Sequence, residues 1–250
     1  MHRFFKQQKL KKDMTVNIDG EDFLHLKNSL RIKAGESIEI SDGLMNTYLA
    51  TICVLKKDSC EALVNEKIEN SNEPDCKITL YPALLKGDRF ENMIQKCIEG
   101  GVYSIKPVIT SNTIVEIANK NKDRKVDRWL RVSKLACMQC KRDILVNIEE
   151  PMKLTDAVQK LMNDKNKPYK SFVCYEAEKK DSIKKLLDKA IKESITNINI
   201  FIGPEGGFSE KEISYLTENG IHPVHMGRRI LRADTAAYSA VFYTAMRYEL

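Results

Sequence analysis

Residues 201–236 read FIGPEGGFSEKEISYLTENGIHPVHMGRRILRADTA. The apolar run Ile198–Ile202 leads into this stretch and is too short for a helix, so it reads as a buried strand. It ends in Gly203-Pro204-Glu205-Gly206-Gly207, three glycines in five residues. That density predicts a sharply bent loop whose backbone a ligand can approach closely. Ser209 followed by Glu212 has the spacing of a capping box, so a helix is expected directly after the loop. Strand, glycine loop and helix N-terminus in succession form a frequent ligand-binding arrangement in α/β proteins.

The pattern returns about twenty residues later. His222–Met226 reads as a short strand, Gly227-Arg228-Arg229-Ile230-Leu231-Arg232 breaks it, and a closing helix is expected from about Ala233. Two such loops can build one pocket or serve as two tight turns, and spacing alone leaves both open. Neither is a Walker A loop, because no Gly-Lys-Ser/Thr follows the glycines, and neither has G-x-G-x-x-G spacing.

IGPEGGFSEKEI together with MGRRILRADTA closely resembles the signature of the 16S rRNA uridine-N3 methyltransferases of the RsmE type, within the SPOUT class. The resemblance implies an α/β protein with an N-terminal PUA-like β-barrel and a C-terminal SPOUT domain tied in a trefoil knot. It further implies S-adenosylmethionine as methyl donor, 16S rRNA in the small ribosomal subunit as partner, and a homodimer. Carried over by position, the donor contacts would be Glu176, Gly203, Pro204, Glu205, Gly206, Met226, Gly227, Ile230, Leu231, Arg232 and Thr235. Uridine N3 must lose its proton before it can attack, so a group that takes the proton or one that stabilises the resulting anion is needed. Arg232 and Arg3 are the catalytic candidates for that task, while Glu205 is either a base or a cap for backbone amides. LLKGDRFENMIQKCIEGGV resembles a second family motif, in which Glu-Leu-Gly is usual; Glu99-Gly100-Gly101 stands here and is expected to loosen the helix end. Asp234-Thr235-Ala236 stands where Glu-Thr-Ala is more frequent, and it retains the charge.

The 250 residues suit one large or two modest domains, and 42% hydrophobic with 30% charged residues is ordinary for a globular protein. A net charge of +6 permits an anionic partner without requiring one. No apolar run approaches the roughly 20 residues of a membrane span. The basic start lacks a signal peptide's apolar core, so no membrane association and a cytoplasmic location are expected. Seven cysteines without such a signal read as reduced thiols. Cys137-Met138-Gln139-Cys140 has no second pair at zinc-ligand spacing, and no metal is expected.

Residues 1–70 read as short strands with polar turns around one short helix at Glu21–Arg31, which suggests a small barrel. The polar stretch Glu69–Pro74 marks a boundary, and residues 75–250 alternate strand and helix, the pattern of a mainly parallel sheet. Lys77–Leu85 and Ile105–Ile109 are expected strands on either side of a helix with Phe90, Met93, Ile94, Cys97 and Ile98 on one face. Residues 119–142 concentrate Lys120, Lys122, Arg124, Lys125, Arg128, Arg131, Lys134, Lys141 and Arg142 around the sole tryptophan, Trp129. This is a phosphate-contacting surface or a solvated helix face. The RNA-contact candidates are Arg3, Lys86, Arg89, Arg128, Arg131 and Arg142. Glu176-Ala177-Glu178 leaves a further strand at its C-terminal end. The closing helix carries Ala237, Val241 and Ala245 on one face, for close packing within the chain or between two copies. Three competing readings follow: a non-catalytic RNA-binding protein, a SPOUT methyltransferase acting on another RNA, and an α/β enzyme using another nucleotide.

Overall fold

The computed structural model describes residues 2–69, 71–114, 119–164 and 168–250, with backbone only at 119–122. The chain forms two compact units. The first is Met1–Glu73 joined by Lys134–Leu145, and the second is Pro74–Ser133 with Val146–Leu250. A linear division near residues 70–75 therefore omits a segment, 134–145, that belongs with the N-terminal unit.

The first unit contains β1 (Arg3–Phe5), β2 (Thr15–Asp19), α1 (Gly20–Leu24), β3 (Ser37–Ser41), β4 (Thr47–Leu55) and β5 (Ser59–Ile68). The expected helix over 21–31 is shorter, because after Leu24 the backbone widens into a π-helical turn, His25–Ser29. The strands form one sheet in the order β1-β3-β4-β5-β2. No β1–β2 pairing closes it among the described residues, so the expected barrel is a half-barrel. Register shifts at Leu49/Ala50 and Ile52/Val54 bend β4 against β5. Alternation puts Val16 and Ile18 of β2 opposite Ala62 and Cys60 of β5, and all four are buried in the core with Phe4, Ile38 and Ile40.

The second unit follows the α/β grammar. Its strands are β6 (Lys77–Pro82), β7 (Ser104–Ile105), β8 (Val108–Ile109), β9 (Asn147–Ile148), β10 (Met152–Lys153), β11 (Tyr169–Cys174), β12 (Asn197–Ile202) and β13 (His222–Val224). Its helices are α2 (Arg89–Glu99), α3 (Asn119–Gln139, whose last turns belong to the first unit), α4 (Leu154–Met162), α5 (Ile183–Lys192), α6 (Glu210–Glu218) and α7 (Ala233–Glu249). Six strands make one parallel sheet in the order β13-β11-β12-β6-β7-β9. The expected strand over 105–109 is broken, because Pro107 has no N–H to donate, and its halves join different sheets. Central strands are buried on both faces, and the rings of Tyr81 and Phe201 stack at 4.4 Å across β6 and β12.

Helix α2 ends firmly despite Gly100-Gly101. A Cβ at Gly100 would lie 2.7 Å from the Phe242 ring, so α7 fills the space a larger residue would occupy. Gly101 takes the left-handed conformation (φ +95°), and its N–H donates to the Ile98 carbonyl. Trp129 is buried against Phe90, with ring centroids 4.6 Å apart, and serves the core.

Candidate active site

Four strands of the large sheet, β6, β11, β12 and β13, end on the same side, and the loops that follow them enclose a cleft of about 540 Å³. Its walls are Leu85, Arg89, Cys174–Glu176, Ile202–Phe208, His225–Asp234 and Ala236. The structure thus brings together Glu176, Gly203, Pro204, Glu205, Gly206, Met226, Gly227, Ile230, Leu231 and Arg232. Thr235 does not line the cleft; its hydroxyl accepts from Tyr238 Oη at 3.2 Å.

The glycine loop is a tight turn in which the Gly207 N–H donates to the Pro204 carbonyl at 2.9 Å, with Gly207 at φ +69°. A Cβ on Gly207 would stand 3.3 Å from Glu176 Oε1, so this glycine lets two loops approach closely. After the loop, Ser209 and Glu212 form the full capping box that starts α6. Burial alone would raise the Glu212 pKa, yet hydrogen bonds from Ser111 and Ser209 hold it below the usual value. Glu205 Oε1 accepts from the Lys86 N–H (3.2 Å) and pairs with Arg89 (3.5 Å), linking the loop to the segment before α2. Glu178 Oε1 accepts from the N–H groups of Lys179, Lys180 and Asp181, and those bonds lower its pKa; it shapes its own turn.

Charge at the cleft is mixed. Glu176, Glu205 and Asp234 contribute carboxylates, while Arg89, Arg228, Arg229 and Arg232 contribute guanidinium groups. Arg232 is exposed and is the N-cap residue of α7. Burial pushes the Cys174 thiol up to about 12, so this cleft cysteine is a neutral thiol and a poor nucleophile near neutral pH. Lining residues absent from the sequence-based set include Leu85, Phe208, Arg228, Arg229 and Asp234. The arginines and Asp234 adjoin its motif directly, whereas Leu85 reaches the cleft only through the pairing of β6 with β12.

Two RNA-contact candidates are buried in the first unit. Arg3 is only 2% exposed; its guanidinium donates to Glu39, Asp143 and the Lys141 carbonyl, all within the first unit. Arg142, also 2% exposed, forms a fork onto Glu73. Lys134 and Lys141 are likewise engaged, with Asp22 and Glu39. Arg128 and Arg131 are exposed on α3, where Arg128 pairs with Glu91 at 2.7 Å, and Lys86 and Arg89 are exposed beside the cleft. The side chains of Lys120 and Lys122 lie outside the described residues. Among the described residues no cluster of His, Cys, Asp and Glu could hold a metal, and no helix is long and apolar enough to cross a membrane.

The profile described as an RNA methyltransferase domain matches residues 72–245, and that of an RNA methyltransferase PUA domain matches residues 18–65. The chain belongs to this family of RNA methyltransferases, with a PUA-like N-terminal domain. It is 31% identical to the ribosomal RNA small subunit methyltransferase E of Mesomycoplasma hyopneumoniae, over 95% of this chain and 96% of that protein. The protein of the same name from Bacillus subtilis is 28% identical, over 97% and 96%. A crystal structure of ribosomal RNA small subunit methyltransferase E from Neisseria gonorrhoeae, bound to S-adenosyl methionine, superposes with a TM-score of 0.86 at 27% identity, covering 99% of this chain and 98% of that one.

Proposed function

We propose that this protein transfers a methyl group from S-adenosylmethionine to N3 of a uridine in 16S rRNA of the small ribosomal subunit. The observation that carries the reading is the cleft itself, walled by the loops after four parallel strands, in a chain with these relatives. Its volume suits a nucleoside-sized ligand. The residues fit such a donor: backbone-rich turns at Gly203–Gly207 and Met226–Gly227 can read an adenine, and Glu176, Glu205 and Asp234 complement the positive ammonium and sulfonium groups.

The donor, when bound, supplies an electrophilic methyl group. The chain has to orient the acceptor and dispose of the N3 proton. We assign Arg232 to the uracil oxygen on which negative charge develops as N3 loses its proton, because it stands exposed at the cleft. Glu205 already accepts from Lys86 and Arg89, which suits a brace between loops better than a base. A paired uridine hides N3, so the target is expected to be unpaired or flipped out. Lys86, Arg89, Arg128 and Arg131 are the proposed phosphate contacts.

A trefoil knot in the C-terminal domain is part of the same proposal. In its favour, β13 lies at the sheet edge while the next element, α7, packs across β6 and β12 and against α2. A homodimer is proposed as well, supported by Phe242 and Met246, which α7 leaves 40% and 52% exposed. A cytoplasmic location follows from a ribosomal substrate. Calorimetric titration with S-adenosylmethionine tests the donor site. Saturable binding is expected, and its absence would favour a non-catalytic RNA-binding protein.

A further inference from the structure

Outside the cleft, the turn after β8 carries a side chain aimed at the glycine loop. Asn112 Nδ2 donates to the carbonyls of both Gly206 and Gly207, each at 3.1 Å. A carboxamide nitrogen has two hydrogens, so two consecutive carbonyls take up its full donor capacity. The peptide between Gly206 and Gly207 is thereby held at both ends, since its N–H already donates to the Pro204 carbonyl. Fixing that plane fixes the turn that walls the cleft.

The same short turn grips the next element. The Ser111 N–H donates to Glu212 Oε1 at 2.7 Å, while Glu212 Oε2 accepts from the Ser209 N–H at 2.8 Å. The turn is itself stiffened by the Thr110 N–H donating to Thr113 Oγ1 at 2.9 Å. Packing agrees with bonding: a Cβ on Gly206 would lie 3.3 Å from Asn112 Cβ. Asn112 does not line the cleft, so it acts through the loop.

We propose that Asn112 is a positioning residue for the methyl donor, holding the Gly203–Gly207 turn in its binding shape through its two carbonyl bonds. The proposal rests on the reading of the cleft as the donor site. Loss of two neutral hydrogen bonds to an exposed loop corresponds to roughly a five- to 150-fold change, with about thirtyfold at the typical value for each. Asn112→Ala should therefore raise the Kd and KM for S-adenosylmethionine by about thirtyfold. Little change is expected in kcat at saturating donor or in Tm. Asn112→Asp keeps the shape but sets an acceptor against two carbonyls, so it should be worse than alanine, whereas a packing role would make it milder. The experiment is calorimetric titration and steady-state kinetics on wild type and both variants of the full chain. Unchanged donor affinity in both, or an aspartate variant that binds like wild type, would overturn the brace. A wild-type protein that binds no donor would overturn the cleft assignment, and with it any role of Asn112 in donor binding.

Discussion

Arg3 Nη1 and Asp143 Oδ1 meet at 2.6 Å across 140 residues of chain, with both side chains buried. Asp143 also accepts from Thr47 and from the Asn72 N–H, so one carboxylate ties the first strand, the sheet and the segment 134–145 into one unit. This pairing places Arg3 in the framework of the first unit, where its charge is neutralised.

Arg3→Ala should destabilise the protein by about 3 kcal/mol, because it leaves the buried Asp143 carboxylate without its cation and Glu39 with Lys141 alone. Urea unfolding followed by circular dichroism measures it. A loss below about 1 kcal/mol, the range of an exposed pair, would contradict the buried network.

The network also sets a pH dependence. Burial alone would raise the Glu39 pKa, but hydrogen bonds and charge from Lys141 and Arg3 bring it below its ordinary value of 4.5. A carboxylate depressed in the folded state contributes its full stability above the unfolded value and loses it as pH falls through the folded one. Tm should therefore hold from neutral pH to about 4.5 and drop below it. Glu39→Gln should have a lower Tm at neutral pH and a shallower acid limb.

How much of this was legible follows from range. The capping box at Ser209, the glycine loop and the strand–helix alternation are local signals, and each forms as its residues dictate. Most of the cleft lining lies within residues 202–236, in two short motifs. Arg3 and Arg142 read as surface cations because their partners, Asp143 and Glu73, are 140 and 69 residues away. Strand β1, only three residues long, exists through its parallel pairing with β3, which no local pattern encodes. Asn112 reads as an ordinary polar turn residue, and its contact with Gly206 is 94 residues distant.

Gly203→Val tests the loop sterically. A Cβ there would meet the Phe208 ring at 3.1 Å and the Phe208 backbone nitrogen at 3.2 Å. Obstruction therefore begins inside the loop, beyond simple filling of the cleft. Overpacking of about 1–3 kcal/mol is expected, together with at least a tenfold weaker donor Kd, read by calorimetry. A folded variant that titrates like wild type would remove Gly203 from the site.

Arg232→Ala should lower kcat by about 10²–10³, the usual effect of removing one charge-stabilising donor. Donor affinity should stay within about threefold, well under the tenfold that 1.4 kcal/mol would bring. Single-turnover methylation beside donor titration separates the two. Equal losses in both would recast Arg232 as a donor contact alone.

The most direct test is transfer of labelled methyl from S-adenosylmethionine to purified small ribosomal subunits that lack the modification, followed by nucleoside analysis. Label is expected in N3-methyluridine, and it should disappear in Arg232→Ala. Label in any other nucleoside, or none despite saturable donor binding, would contradict the proposed reaction.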